Sequence, residues 1–192
     1  MTRVFHPHGG LAFLIVATAV VAVPETLPGA GQDEGWVSLF DGRSLDGWRA
    51  SEHPETWRVE DACLVAHGPR SHLFYNGEVG DHDLRDFEVE VEVLTEPFTN
   101  SGVFIQTQYQ ESGWPDKGYE VQINNTHKGS GNYQELKRTG SLYAVRNIYK
   151  SCVSDGEWFR VRIRVVDKRI QVWVNDMLTV DYLEPDRPDR KE

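Results

Sequence analysis

Two segments of the chain, "FEVEVEV" (Phe87 to Val93) and "FRVRIRV" (Phe159 to Val165), alternate strictly between apolar and charged residues. In the first, Phe87, Val89, Val91 and Val93 alternate with Glu88, Glu90 and Glu92. In the second, Phe159, Val161, Ile163 and Val165 alternate with Arg160, Arg162 and Arg164. Successive side chains on a strand point to opposite faces, whereas a helix repeats every 3.6 residues. Only as strands can these segments gather their apolar residues on one face. Burying one large apolar side chain is worth roughly 1.5–3 kcal/mol, so the apolar rows should face a core and fix the register. The Glu and Arg rows should then face solvent, as candidate cross-strand partners.

Strand patterns fill most of the remaining chain: "WVSLF", "TWRVE", "CLVAH", "SHLFY", "GVFIQTQ", "GYEVQIN", "GSLYAV", "RIQVWVN" and "LTVDYL". Asp61-Ala62 between "TWRVE" and "CLVAH" has hairpin spacing, and "VVDKRIQ" and "WVNDML" read as further hairpins. Neither an amphipathic helix of three turns nor an internal repeat follows the leader. Short strands broken by Gly, Pro, Asn and Asp predict an all-β, antiparallel β-sandwich. Longer irregular stretches at 42–56, 109–118 and 124–140 are candidates for functional loops.

The chain has 192 residues and a net charge of −10. It carries no basic run or Lys/Arg stripe, which argues against nucleic acid as a partner. Six Trp and seven Tyr serve either core packing or stacking against sugar rings. At the N-terminus, Arg3 precedes a 13-residue apolar run, Leu11 to Val23, containing Ala17, Ala19 and Ala22. Such a run is short for a transmembrane helix and has signal-peptide form. The expected organisation is a signal peptide at 1–23, a linker at 24–35, one domain at 36–184 and a polar tail at 185–192. Residues 1 to about 33 are then expected to lack a packed position. The expected location is periplasmic or extracellular, with no membrane role beyond export. Cys63 and Cys152 are left open between a disulfide and separate thiols.

The chemistry centres on "GYEVQINN", Gly118 to Asn125. Glu120, Gln122 and Asn124 share one strand face. A glucan-cleaving enzyme of the laminarinase type carries Glu-x-Asp-x-x-Glu in such a strand. Here Gln122 and Asn125 stand where the second and third carboxylates would be. An amide is neither a nucleophile nor a proton donor of the required acidity. Two-carboxylate glycoside hydrolysis therefore needs an acid from a loop. The segment "NNTHKGSGNYQELKRTG" follows directly, carrying His127, Lys128, Glu135, Lys137 and Arg138, and is the candidate wall or lid over this face.

An ordered set of blocks resembles the 3-keto-disaccharide hydrolase domain family. The blocks are "WVSLFDGRSLDGWRA", "LRDFEVEVEVLTEPFTNSGVFIQ", "GYEVQI", "RTGSLYAV" and "GEWFRVRIRVVDKRIQVWVNDMLTVDY". The resemblance implies a concanavalin-like jelly roll. Members of that family continue beyond the last block with two more strands, where this chain reads "EPDRPDRKE". The expected sandwich therefore lacks its last C-terminal strands, leaving "WVSLF" at an unpaired edge.

The resemblance implies a hydrolase that cleaves 3-keto glycosides, with elimination and hydration as a route open to it. Oxidation at C3 acidifies the C2 proton, so one base, an enolate-stabilising donor and an acid for the leaving oxygen suffice. Glu120 and His127 are the candidate bases. Lys137 is the candidate acid or enolate partner. Asn100, Gln122, Asn124, Tyr143 and Arg146 are candidate substrate ligands. No cofactor is required; for a divalent metal, His127, Glu120 and Asp116 are conceivable ligands. The implied partners are a carbohydrate substrate and a sugar 3-dehydrogenase supplying it. The rival reading is a non-catalytic carbohydrate-binding or adhesion module of the same sandwich form.

Overall fold

The computed structural model describes the backbone of residues 14–22 and residues 35–188. The linker predicted at 24–35 and the last residues of the tail lie largely outside the described residues. The fold is all-β and antiparallel. Its main sheet runs β12-β11-β10-β7-β1-β5-β4, with β2 also paired to β1. These strands are β1 (Leu14–Ala22), β2 (Trp36–Ser38), β4 (Trp57–Glu60), β5 (Cys63–Ala66), β7 (Phe87–Thr95), β10 (Phe159–Val166), β11 (Arg169–Val174) and β12 (Met177–Leu183). Two hairpin-like pairs complete it: β3 (Trp48–Ala50) with β6 (Leu73–Tyr75), and β8 (Ser101–Ile105) with β9 (Tyr119–Ile123).

The two alternating segments pair with each other in the predicted register, Val91 opposite Val161 and Glu90 opposite Arg162. Val93, Val161, Ile163 and Val165 are fully buried, and Phe87, Val91 and Phe159 nearly so. Val89 is partly buried against the same core. That core is closed from the other side by Ile105, Tyr119, Val121, Ile123 and Leu142. The charged rows lie on the outer face and pair diagonally, Arg162 with Glu88 (3.4 Å) and Arg160 with Glu90 (3.6 Å).

The turns follow from local chemistry. Asp61 and Ala62 both take positive φ (51° and 60°), as a two-residue hairpin between right-twisted strands requires. In the 39–48 segment, Asp41 accepts hydrogen bonds from the N–H groups of Arg43 and Ser44 (both 2.8 Å), and the Trp48 indole donates to the Leu39 carbonyl (2.8 Å). The opening block is thus a self-bonded turn that ends in the short strand β3, inside a stretch read from sequence as loop.

Two further expectations are corrected. "GSLYAV" forms only isolated bridges, Val121–Leu142 and Leu142–Arg146, because Ala144 at φ 59° breaks the extended run. The segment read as a leader does not lie wholly outside the packed fold. Its Leu14–Ala22 part is β1, paired with β7, β5 and β2. A run of Val, Ile, Thr and Ala suits a strand as well as an export signal. It also occupies the edge expected to stand open beside "WVSLF". Among the described residues no disulfide joins Cys63 and Cys152. No helix among them is long and apolar enough to cross a membrane.

Candidate active site

Strand β9 carries Glu120 and is flanked on both sides. On one side, β8 places Phe104 opposite Glu120 and Gly102 opposite Gln122. On the other, the Tyr143 N–H donates to the Glu120 carbonyl (2.8 Å) and the Gln122 N–H to the Ser141 carbonyl (2.9 Å). Side chains directly opposite across an antiparallel pair share a face, so Phe104, Tyr143 and Glu120 project together. Gly102 makes room: a Cβ there would lie 2.4 Å from Glu120 Oε1. The glycine of "NSGVF" thereby lets the carboxylate rest against β8.

Glu120 is half-buried and its carboxylate accepts no hydrogen bond among the described residues. Burial pushes its pKa up to about 7, the negative charge of Glu135 adds to the rise, and Lys137 opposes it. A carboxylic acid poised there can take up and return protons at neutral pH.

The loop after β9 supplies the rest. Glu135 is 2% exposed. It accepts hydrogen bonds from the Tyr133 hydroxyl, from the Lys137 N–H (2.8 Å) and from the Tyr143 hydroxyl (3.3 Å), and it pairs with Lys137 Nζ (3.4 Å). Burial alone would raise its pKa, but the Tyr133 hydrogen bond, the Lys137 N–H and the lysine charge outweigh this and hold it below the ordinary value. Lys137 Nζ also donates to the Tyr143 hydroxyl (3.1 Å) and sits 4.2 Å from that ring's centroid. Burial lowers the lysine pKa, but its bond to Tyr143 and the Glu135 charge prevail and raise it. The result is a fixed ammonium and two hydroxyls beside a protonatable carboxylate.

The predicted site residues separate into three groups. Glu120, Lys137 and Tyr143 are brought together. Asn100, Gln122 and Asn124 form the support. Gln122 is 1% exposed and donates to Asn100 Oδ1 (2.6 Å), so it lies beneath Asn100 rather than lining an open pocket. Asn124 is fully buried and latches the loop: its amide donates to the carbonyls of His127 (3.2 Å) and Lys137 (3.0 Å) and accepts from the His127 N–H (2.9 Å). Of the three residues expected to share one face toward substrate, Glu120 alone is partly open, and Gln122 and Asn124 are corrected to buried supports. Asn125, in place of a laminarinase-type carboxylate, is likewise a buried tie, bonded to Thr95 (2.9 Å) and Thr139 (2.6 Å).

The third group lies apart. The His127 ring makes no hydrogen bond to Glu120, Glu135 or Lys137 among the described residues; its backbone anchors the loop. Arg146 turns to the ring of Tyr182 (5.1 Å), which packs against Tyr119 of the core. His127, Glu120 and Asp116 do not assemble: no group of three or more His, Cys, Asp or Glu suited to a metal occurs among the described residues. Two surface cavities, one between Asp83, Asp86 and Asp167 and one between Glu92, Trp158 and Asp176, contain neither Glu120 nor its partners.

The sequence marks Glu135 as a loop acid without a role, Gly102 as part of a turn into a strand, and Tyr133 not at all. A signal was present. Tyr133, Glu135 and Lys137 recur with period two, a strand-like pattern in a segment that forms no regular strand.

Comparison with known proteins agrees with this architecture. A 3-keto-disaccharide hydrolase of Bacteroides thetaiotaomicron is 26% identical over 170 residues, covering 78% of this chain and 59% of that protein. The chain thus spans well under two thirds of that relative's length. Crystal structures of two candidate glycosyl hydrolases from Parabacteroides distasonis share the fold. One superposes with a TM-score of 0.65 at 21% identity, covering 77% of this chain and 71% of that one. The other gives 0.54 at 24% identity, covering 70% and 71%. Residues 35–192 match the model of the 3-keto-alpha-glucoside-1,2-lyase-like domain, and the chain belongs to that family.

Proposed function

We infer that the domain cleaves the glycosidic bond of 3-keto glycosides by elimination followed by hydration. One observation carries the reading: Glu120, half-buried and without a hydrogen-bond donor among the described residues, titrates near 7 beside an ammonium fixed by Glu135 and Tyr143. The Glu120 carboxylate takes the C2 proton of the 3-keto sugar, and the C–H electron pair forms the enolate between C2 and C3. That pair then forms the C1–C2 double bond as the C1–O bond breaks. The leaving oxygen takes a proton from Lys137. Water adds its oxygen to C1, Glu120 returns a proton to C2, and the second water proton restores Lys137. The bond and ring contact from Lys137 to Tyr143 hold the ammonium where oxygen charge develops.

Two-carboxylate hydrolysis fits less well. Among the described residues, Glu135 is the only loop acid whose charge bears on Glu120, and both its oxygens are occupied by Tyr133, Tyr143 and Lys137. It serves as a positioning charge rather than a nucleophile. The family description and the name of the Bacteroides relative support the same substrate class. A sugar 3-dehydrogenase would supply the substrate.

Export to the periplasm or exterior rests on Arg3 and the apolar run that follows. Cleavage after that run would also remove β1, which joins β5 and β2 to β7. Mass spectrometry of exported protein decides between leader and resident strand.

The reaction is tested with a 3-keto disaccharide and its unoxidised parent in D2O. Release of both sugars from the 3-keto substrate alone is expected. Solvent deuterium should appear at C2 of the product, beyond that in preformed product incubated with the protein. Release without the excess deuterium would mean direct hydrolysis or return of the abstracted proton by Glu120 before exchange, and deuterium at C2 of the 3-keto substrate in the absence of release separates them. Binding of the unoxidised glycan with no release from either substrate would make the domain a binding module.

A further inference from the structure

The face that carries Glu120 continues past Phe104 into an aromatic cluster that the reaction does not use. His72 packs edge-on against Phe104 (5.4 Å between centroids) and edge-on against Trp114 (5.3 Å). Trp114 is 59% exposed, yet it is held in place. The Arg70 guanidinium lies over its ring at 5.5 Å and is itself fixed by Glu52 (2.7 Å). Glu52 also accepts from the neighbouring Gly113 N–H (3.1 Å). The Trp114 carbonyl accepts from Gln110 (2.6 Å), whose own amide oxygen accepts from the Asp116 N–H (3.0 Å). A large indole kept both wet and restrained is a poor arrangement for stability alone, since the exposed surface gains nothing from burial. It is a good one for a ligand with an apolar face, because little side-chain freedom remains to be lost on binding.

We propose that Trp114, backed by Arg70 and His72, is a stacking platform for the sugar ring attached to the 3-keto residue at Glu120. Pyranose rings present C–H faces that suit an aromatic plane. Burial, then the Arg70 charge, lower the His72 pKa, which favours an uncharged ring between the platform and Phe104. The platform gives the site a preference for disaccharides or longer glycans over simple glycosides. This inference rests on the assignment of Glu120 as the catalytic base, and its test separates the two.

The probes are a 3-keto-α-glucosyl disaccharide and methyl 3-keto-α-glucoside, with wild type, Trp114→Ala and Trp114→Phe. Trp114→Ala is expected to lower kcat/KM on the disaccharide about tenfold through KM, the scale of one aromatic contact. It should leave the methyl glycoside within twofold, and Trp114→Phe should restore most of the loss. Equal losses on both substrates, or no loss on the disaccharide, would overturn the platform. If wild type turns over neither probe, the reaction assignment fails, and calorimetric binding of the same two probes decides the platform. Tighter disaccharide binding that Trp114→Ala removes supports it; no binding, or binding indifferent to Trp114, rejects it.

Discussion

Two sets of charges in this molecule meet opposite fates. On β7 and β10, Glu88, Glu90, Arg160 and Arg162 project from an outer face where their ion pairs span 3.4–3.6 Å and the guanidinium side chains remain 38–44% exposed. On β9 Glu120, and on the loop beyond it Glu135 and Lys137 two residues apart, are covered instead. Glu135 is 2% exposed, and Glu120 is pushed to about 7. The residue types barely differ. What differs is the surroundings: the 126–143 segment loops out and returns alongside β9, latched by Asn124, Asn125 and Arg138. Removing water from a charged row turns a solubilising surface into a titrating one.

The largest expected effect probes the layer beneath the wet rows. Ile163 is fully buried, and Ile163→Ala should cost about 2–5 kcal/mol in urea unfolding. A cost below 1 kcal/mol would mean that the β7–β10 face is not the core that fixes the register. Next, Gly102→Ala should displace the Glu120 carboxylate while leaving the fold intact. A misplacement of this kind costs roughly 10²-fold in kcat/KM; unchanged kinetics would show that the close approach of Glu120 to β8 has no catalytic meaning.

Glu135→Gln sharpens the electrostatic half of the comparison. The Glu135 charge raises the Glu120 pKa, so its removal should move the acid limb of the kcat/KM profile below 7. A limb that stays in place would separate the two carboxylates. Glu120 also bears on stability. Its folded pKa, about 7, lies above the ordinary 4.5, so the folded state binds the proton more tightly and stability falls as pH rises between those values. Glu120→Gln should therefore unfold at higher temperature than wild type at pH 8 and match it at pH 4. The smallest effect is expected from Glu90→Ala, whose exposed pair with Arg160 is worth at most about 1 kcal/mol. A cost comparable to Ile163→Ala would erase the contrast between wet and covered rows.

The wet rows were legible because period two is a local property and the core residues Val91, Val161 and Ile163 had no other face to take. The sandwich and most strands followed from the same signal. Glu120 and Lys137 were legible as chemistry-bearing residues near one another in the chain. Glu135 was not, because its burial comes from three hydrogen bonds made by a loop without regular pairing. Gln122 and Asn124 were assigned to the substrate face because alternation gives direction but not depth. Arg146 was misplaced because the turn at Ala144 reverses the chain and sends the side chain to Tyr182. The apolar run at Leu14–Ala22 has export-signal form in the sequence, yet it pairs as a strand in the fold, because Val, Ile, Thr and Ala suit both.

The most direct test of Glu120 as the base is kcat/KM on a 3-keto disaccharide, measured against pH for wild type and Glu120→Gln. Glu120 acts in its ionised form, so the wild-type rate should rise with pH through an acid limb near 7. Glu120→Gln should fall by 10²–10⁴-fold, the usual contribution of a positioned base, and lose that limb. A variant that keeps near-normal turnover with the limb intact would contradict the account and return the search for the base to His127.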